Sequence, residues 1–185
     1  LKTPAIPANA MPNPSRLGER VVLTATVVEQ EPHIAGAGPV APTPTGDVVF
    51  LDGDTELGAG TLEDGVATLA VTTLDAGTHA LTVRFAGDGA FYPATSPVYS
   101  HVVQPLPLAV NDAAGTLEGQ PVTVAVLAND HDPAGGGLTV ITITQPLNGV
   151  VEINPTGEVS RQQGSAIVTY TPNPGFAGIA TFSYV

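Results

Sequence analysis

The sequence predicts an all-β protein of two tandem domains, each a sandwich or barrel, and three observations predict it. Apolar residues alternate with a period of two, turn-forming dipeptides recur at short spacing, and a proline-rich break divides the chain into two stretches of domain size. Val21, Leu23, Ala25 and Val27 alternate with Val22, Thr24 and Thr26; Leu81, Val83 and Phe85 alternate with Thr82 and Arg84; Val122, Val124 and Val126 alternate with Thr123 and Ala125. Side chains of a strand point alternately to opposite faces, so each run has one face in a core. Their many Val and Thr residues suit a pleated surface. Asp52-Gly53-Asp54, Asp64-Gly65, Asp75-Ala76-Gly77, Gly87-Asp88-Gly89, Asn148-Gly149 and Asn154-Pro155-Thr156-Gly157 stand between the runs. Asp-Gly and Asn-Gly supply the positive φ of tight hairpins. No segment carries a helical period, and many short strands with frequent turns give a sandwich or barrel.

The break is Gln104-Pro105-Leu106-Pro107, with residues 105–107 as linker. Residues 12–104 and 108–185 each approach the ~100 residues of a sandwich domain. Residues 1–11, rich in proline, read as an extended linker or a donor strand, and Pro32–Thr45 as a long loop.

Composition narrows the function. The 185 residues carry a net charge of −12 with Lys2 as the only lysine. Nucleic-acid binders must neutralise phosphates with Lys and Arg, so this balance excludes them, and anionic lipid is repelled likewise. A hydrophobic share of 43 % is too high for a disordered acidic tail. No apolar run approaches the ~20 residues of a membrane helix, and residues 1–10 lack the apolar core of a signal peptide. With no cysteine, disulfides, thiolate catalysis and zinc-thiolate sites are excluded. The start without Met suggests a fragment or processed product.

Particular residues carry a family resemblance. Leu17-Gly18-Glu19-Arg20-Val21-Val22-Leu23-Thr24-Ala25-Thr26-Val27, Pro44-Thr45-Gly46-Asp47-Val48-Val49-Phe50-Leu51-Asp52-Gly53, Ala76-Gly77-Thr78-His79 and Phe85-Ala86-Gly87-Asp88-Gly89-Ala90-Phe91 resemble the repetitive bacterial Ig-like domains of large surface proteins. Val110-Asn111-Asp112, Leu117-Glu118-Gly119, Val126-Leu127-Ala128-Asn129-Asp130-His131-Asp132-Pro133, Gln145-Pro146-Leu147-Asn148-Gly149 and Tyr170-Thr171-Pro172-Asn173-Pro174-Gly175-Phe176-Ala177-Gly178 are similar to the cadherin-like Ig repeats of bacterial adhesins. The resemblance implies two tandem immunoglobulin-like β-sandwiches without catalytic residues, used as a spacer, stalk or adhesive module of an exported bacterial protein at the cell surface. Its partners would be neighbouring Ig-like domains, copies of itself, or a surface protein or glycan receptor.

The resemblance also implies calcium as a cofactor of the second domain, with Asp112, Glu118, Asn129, Asp130 and Asp132 as donors. Calcium takes six to eight oxygens, and Ala134-Gly135-Gly136-Gly137 stands where the family often has further acids. The alternative for this cluster is a turn whose side chains bind backbone amides. Asp52-Gly53-Asp54 lacks the remaining positions of a calcium loop and reads as a hairpin. None of His33, His79, His101 and His131 has metal-ligand spacing; His79 reads as a cap at a sandwich corner. No Gly-x-Ser-x-Gly elbow and no phosphate loop occurs, so the expectation is no enzyme. Lys2, the only side-chain amine for an isopeptide, falls outside both sandwiches in this reading.

Two further readings concern partners. The resemblance leaves the last strand of the second domain, Thr181, Phe182, Ser183, Tyr184 and Val185, shortened, with an open edge. A strand such as Leu1–Pro14 of a neighbouring copy would complete it and build a filament. An accessory glycan- or protein-binding region of an extracellular enzyme instead predicts exposed rings at Phe91, Tyr92 and Phe176.

Overall fold

The computed structural model describes residues 1–30, 42–154 and 166–185. It divides into two compact units, Leu1–Pro105 and Leu106–Val185. No helix occurs among the described residues, hence none long and apolar enough to cross a membrane. His33, most of the Pro32–Thr45 loop and the turn beyond Asn154 lie outside the described residues.

The first unit contains β1 (Pro4–Ala5), β2 (Ala8–Met11), β3 (Ser15–Arg16), β4 (Val21–Thr26), β5 (Val28–Glu29), β6 (Asp47–Asp52), β7 (Thr55–Thr61), β8 (Val66–Val71), β9 (Gly77–Phe85), β10 (Ala94–Thr95) and β11 (Tyr99–Gln104). One sheet runs β2-β4-β8 and the other β3-β11-β9-β6-β7, with β10 on β9 and a separate β1-β5 pair. The period-two alternation sets which residues face inward. Val21, Leu23 and Ala25 of β4 and Leu81, Val83 and Phe85 of β9 are buried, and Thr24 and Arg84 between them are not. Ala10, Val48, Phe50 and Val103 join the same core.

Turn chemistry fixes the hairpins. Asp64 and Gly65 join β7 to β8 with φ of 50° and 79°, the type I′ geometry whose twist matches the strands. Gly53-Asp54 is the two-residue loop between β6 and β7, so the Asp52-Gly53-Asp54 run is a hairpin. Gly60 of β7 is a close approach: a Cβ there would lie 3.1 Å from Thr68 O and 3.3 Å from both Ala67 Cβ and a Phe50 ring carbon.

Residues 1–11 correct the expectation of a linker or donor strand. β1 pairs with β5 and β2 with β4, Ile6 and Ala10 are buried, and Lys2 bonds Glu29 at 2.6 Å. The segment, Lys2 included, therefore belongs to the first sandwich. Pro4 and Pro7 do not forbid this, because β1, which holds Pro4, is an edge strand paired with β5, Pro7 lies between β1 and β2, and proline is tolerated where no inner ladder needs its N–H.

The second unit contains β12 (Val122–Ala125), β13 (Gly149–Asn154) and β14 (Ile167–Pro172), in the order β12-β14-β13. Facing it, Ile143 and Tyr184 form an antiparallel bridge, flanked by bonds between Thr142 and Val185 and between Thr144 and Ser183. Its fully buried interior is small: Val126, Leu127, Val151 and Val168, with Val124, Ile143, Tyr170, Phe182 and Tyr184 half-buried against it.

Candidate functional site

Of the five expected calcium donors, the structure brings together two. The Tyr184 hydroxyl sits at a focus of oxygens: Val126 O at 2.9 Å, Asp130 Oδ2 at 3.1 Å and Oδ1 at 3.3 Å, and Asp112 Oδ2 at 3.3 Å. A phenol has one proton, so it donates to one of these at a time. Burial, and then the hydrogen bond and charge of Asp130 and the charge of Asp112, push its pKa well above the ordinary 10.0. Asp130 is itself buried and accepts the Val110 N–H at 2.8 Å.

The other three donors are engaged or placed elsewhere. Asp132 accepts Ala134 N and Gly136 N at 2.9 and 3.0 Å, closing its own turn. Asn129 donates to Asn111 O at 3.3 Å. Glu118 lines a groove of about 530 Å³ with Asp112, Leu117, Val124, Phe176 and Phe182. Among the described residues no three His, Asp or Glu side chains converge in a group able to hold a metal ion.

The expected partner edge, Thr181 to Val185, is occupied on one side. Ser183 O accepts Thr144 N at 2.8 Å, and Val185 N donates to Thr142 O at 3.0 Å. Tyr184 is the non-bonded member of its bridge, so its N–H and C=O, like those of Phe182, point to the other side. They have no main-chain partner among the described residues.

The aromatic expectation divides. Phe91 is a core residue, 1 % exposed, which corrects its reading as an exposed ring. The cause is Asp88, whose Oδ1 accepts Ala90 N and Phe91 N at 2.7 and 2.8 Å and folds the loop inward. Tyr92 is 49 % exposed, and Phe176 is half-buried in the groove.

The histidines of the first unit make a polar seam inside the sandwich. His79 and His101 are direct cross-strand partners of β9 and β11. His79 donates from Nδ1 to Asp52 Oδ2 at 2.7 Å and from Nε2 to Asp75 O at 2.8 Å. Both ring nitrogens face acceptors, which only imidazolium satisfies. Burial works against that charge, but the bonds to Asp52 and Asp75 outweigh it and raise the pKa above 6.5. His101 is the opposite case: it is fully buried, its Nε2 lies 2.9 Å from Ser15 Oγ, and its Nδ1 has no partner among the described residues. Burial, then the charge of His79, lower its pKa. Ser15 and His101 have the spacing of a nucleophile and its base, but both are sealed from solvent and no carboxylate orients Nδ1.

This seam holds the two ends of the unit together. β3 and β11 pair in parallel, Ser15 opposite Val103 and Arg16 opposite Gln104, and Leu17 N donates to Gln104 O at 2.9 Å. The Asn13 amide lengthens the ladder, accepting from Val102 N at 3.0 Å and donating to Ser100 O at 3.1 Å. Sequence reading missed Asn13, Ser15 and His101 as a set because they lie about 86 residues apart and match no local motif.

A solved structure described as "Structures of Clostridium thermocellum CbhA fibronectin(III)-like modules" is 20 % identical, covers 52 % of this chain and 94 % of its own, and has a TM-score of 0.37. The comparison with curated proteins gives no match. The family described as bacterial Ig-like domain (group 3) matches residues 8–104, and the family described as bacterial Ig domain matches residues 104–185. With more than half its length in the first of these and residues 104–185 in the second, this chain belongs to the bacterial Ig-like domains, two in tandem.

Proposed function

We propose that the chain is a non-catalytic, load-bearing spacer of an exported bacterial surface protein, with its first unit as the mechanical element. The observation that supports this is the parallel pairing of β3 with β11. β3 is reached from the beginning of the unit and β11 leads to its end. A pull on the two flanks loads β1 and β2 on their partners β5 and β4 first and, once it reaches β3, drags the parallel neighbours β3 and β11 in opposite directions along their axes. All the bonds between them are loaded together, whereas a ladder pulled from one end opens bond by bond. The Asn13 bonds and the buried Ser15–His101 contact add to that shared load.

Single-molecule pulling of the chain through its termini tests the reading. Leu17→Pro removes the donor to Gln104 O, and Asn13→Ala removes the amide bridge. Both are expected to lower the unfolding force of the first unit and leave the second unit's unchanged. Equal forces for wild type and both variants would refute a mechanical role for the seam.

A specific observation favours a second reading, strand addition to the second unit. Phe182 lines the apolar groove, the outward main-chain groups of Phe182 and Tyr184 are unpaired among the described residues, and edges of this kind pair with added strands. Leu1–Pro14 is not a free donor, since it is built into the first sandwich. A second copy presenting the same edge is the remaining self-partner. Light scattering over a hundredfold concentration range is expected to show dimers that Phe182→Lys abolishes; monomers throughout overturn it.

A further inference from the structure

We infer that the β3–β11 seam is an acid-labile latch, closed while His101 is neutral and released when it is protonated. Three features of the geometry carry this. First, His101 is completely enclosed, and its Nδ1 meets no acceptor among the described residues. A neutral ring tolerates that: Nε2–H donates to Ser15 Oγ and Nδ1 keeps a lone pair. The charged ring adds an Nδ1–H with nothing to receive it, inside the core. Second, its cross-strand neighbour is His79, whose two ring nitrogens both face acceptors, Asp52 Oδ2 and the Asp75 carbonyl, an arrangement that favours its charged form. A second positive charge at His101 is thus placed beside the first. Third, His101 is the residue through which β11 grips Ser15 of β3, so a ring that must leave the core takes the seam with it.

The surroundings offer no relief. On β9 the facing ionisable group is His79, with Asp52 of β6 and Asp75 engaged on its far side. On β3, Arg16 is exposed and next to Ser15 in sequence, so it faces away, and on β11 the nearest titratable group is Tyr99. No carboxylate among these groups bonds His101.

The sign follows from linkage. The pKa of His101 is lowered on folding, so the opened seam binds the proton better and closure weakens as pH falls below the ordinary 6.5. His79 has the opposite sign: its raised pKa adds stability to the fold as pH falls through the folded value. A global melt mixes the two, whereas local opening of the seam isolates His101. The latch rests on this packing alone; only its consequence for load rests on the spacer reading.

Amide hydrogen exchange of the intact chain, corrected for the intrinsic pH dependence, is the test. Between pH 7.5 and 5 the Leu17 and Val102 amides are expected to lose protection by up to about 30-fold, the limit for a group of ordinary value 6.5 that stays neutral when closed. The Leu23 and Leu69 amides of β4 and β8 stay protected, and His101→Leu makes the seam flat with pH. In wild type, ring-proton NMR gives an independent readout, with His101 titrating only as Leu17 exchange accelerates. Unchanged seam protection at pH 5, the same acid loss in His101→Leu, or His101 titrating near 6.5 while Leu17 remains protected each overturns the latch. Pulling at the two pH values then reports on load separately: constant force with accelerated exchange rejects the spacer reading and keeps the latch.

Discussion

Removing one oxygen, by Tyr184→Phe, tests the internal logic of the second unit. The ring stays packed against a small interior, so the change takes away the hydroxyl and nothing else. That hydroxyl is the shared donor for Val126 O, both oxygens of Asp130 and one of Asp112, all within 2.9–3.3 Å. A hydrogen bond to a charged acceptor contributes about 1.5–3 kcal/mol, and among the described residues the loss leaves Asp130 with only the Val110 N–H. In a unit of this size that lowers the midpoint by on the order of 10 °C. Scanning calorimetry of the intact chain resolves it as a shift in the second unit's transition with the first unchanged. The pH dependence carries a second signature. The phenol's pKa is raised on folding, so its contribution is complete below pH 10 and is lost as pH rises beyond it. Wild type is expected to lose stability above pH 10 in a step that Tyr184→Phe lacks. A midpoint within 2 °C of wild type, or the same alkaline step in both proteins, would refute the assignment. The same scans with chelator and with millimolar calcium examine Asp112 and Asp130 as ion ligands. Saturation at a hundredfold excess over Kd adds about 2.7 kcal/mol, and with the hydroxyl at the focus we expect the two traces to coincide.

Asp88→Asn keeps the acceptor for Ala90 and Phe91 but turns an amide toward Thr45 N, and is expected to cost the first unit about 1 kcal/mol in urea denaturation. The bonds from Thr45 and Ala90 hold the Asp88 pKa below 3.8, so wild type keeps that contribution above this value and loses it as pH falls through the folded one; the variant's acid limb should be shallower. Phe85→Ala empties a fully enclosed ring site and should cost about 3–5 kcal/mol by the same assay, with less than 1 kcal/mol contradicting the core assignment. Gly60→Ala drives a methyl against Thr68 O and Phe50 and is expected to cost about 1–3 kcal/mol, read as a lowered urea midpoint. Gln145→Ala uncovers Val151 N and O and should raise the second unit's tendency to associate, measured by light scattering.

Much of the first sandwich is legible in sequence because its strands obey a period of two and its turns name themselves. Val21, Leu23 and Ala25 face the core as their spacing requires, and Asp64-Gly65 makes the hairpin its composition demands. Proline misleads at residues 1–11: it disfavours an inner strand, yet the segment lies where an edge strand tolerates it. The acidic cluster is not decided by local sequence. Carboxylates near a turn look alike whether they await an ion, cap amides as Asp132 does, or meet a tyrosine from the far end of the domain as Asp130 does. Only the tertiary approach of Tyr184 separates these cases. His101 is invisible for the same reason, since nothing local distinguishes an outward histidine from one gripping Ser15 across the fold.

Two amides reveal how this fold manages the ends of its ladders. Asn13 bonds Val102 N and Ser100 O where β3 has not yet begun, and Gln145 bonds Val151 N and O at 2.8 and 2.7 Å on the outer edge of β13. A carboxamide carries a donor and an acceptor at nearly the spacing of a peptide group, so each replaces one residue of a neighbouring strand. Exposed edges recruit other chains, and β13 needs the cover because Val150 and Ile153 already stand exposed on it. The Phe182–Tyr184 edge has no such amide among the described residues and borders an apolar groove. Asn13 and Gln145 cover two ladder ends in this way, and on the strand-addition proposal that contrast favours the Phe182–Tyr184 edge as the place on the second unit where a partner strand gains most.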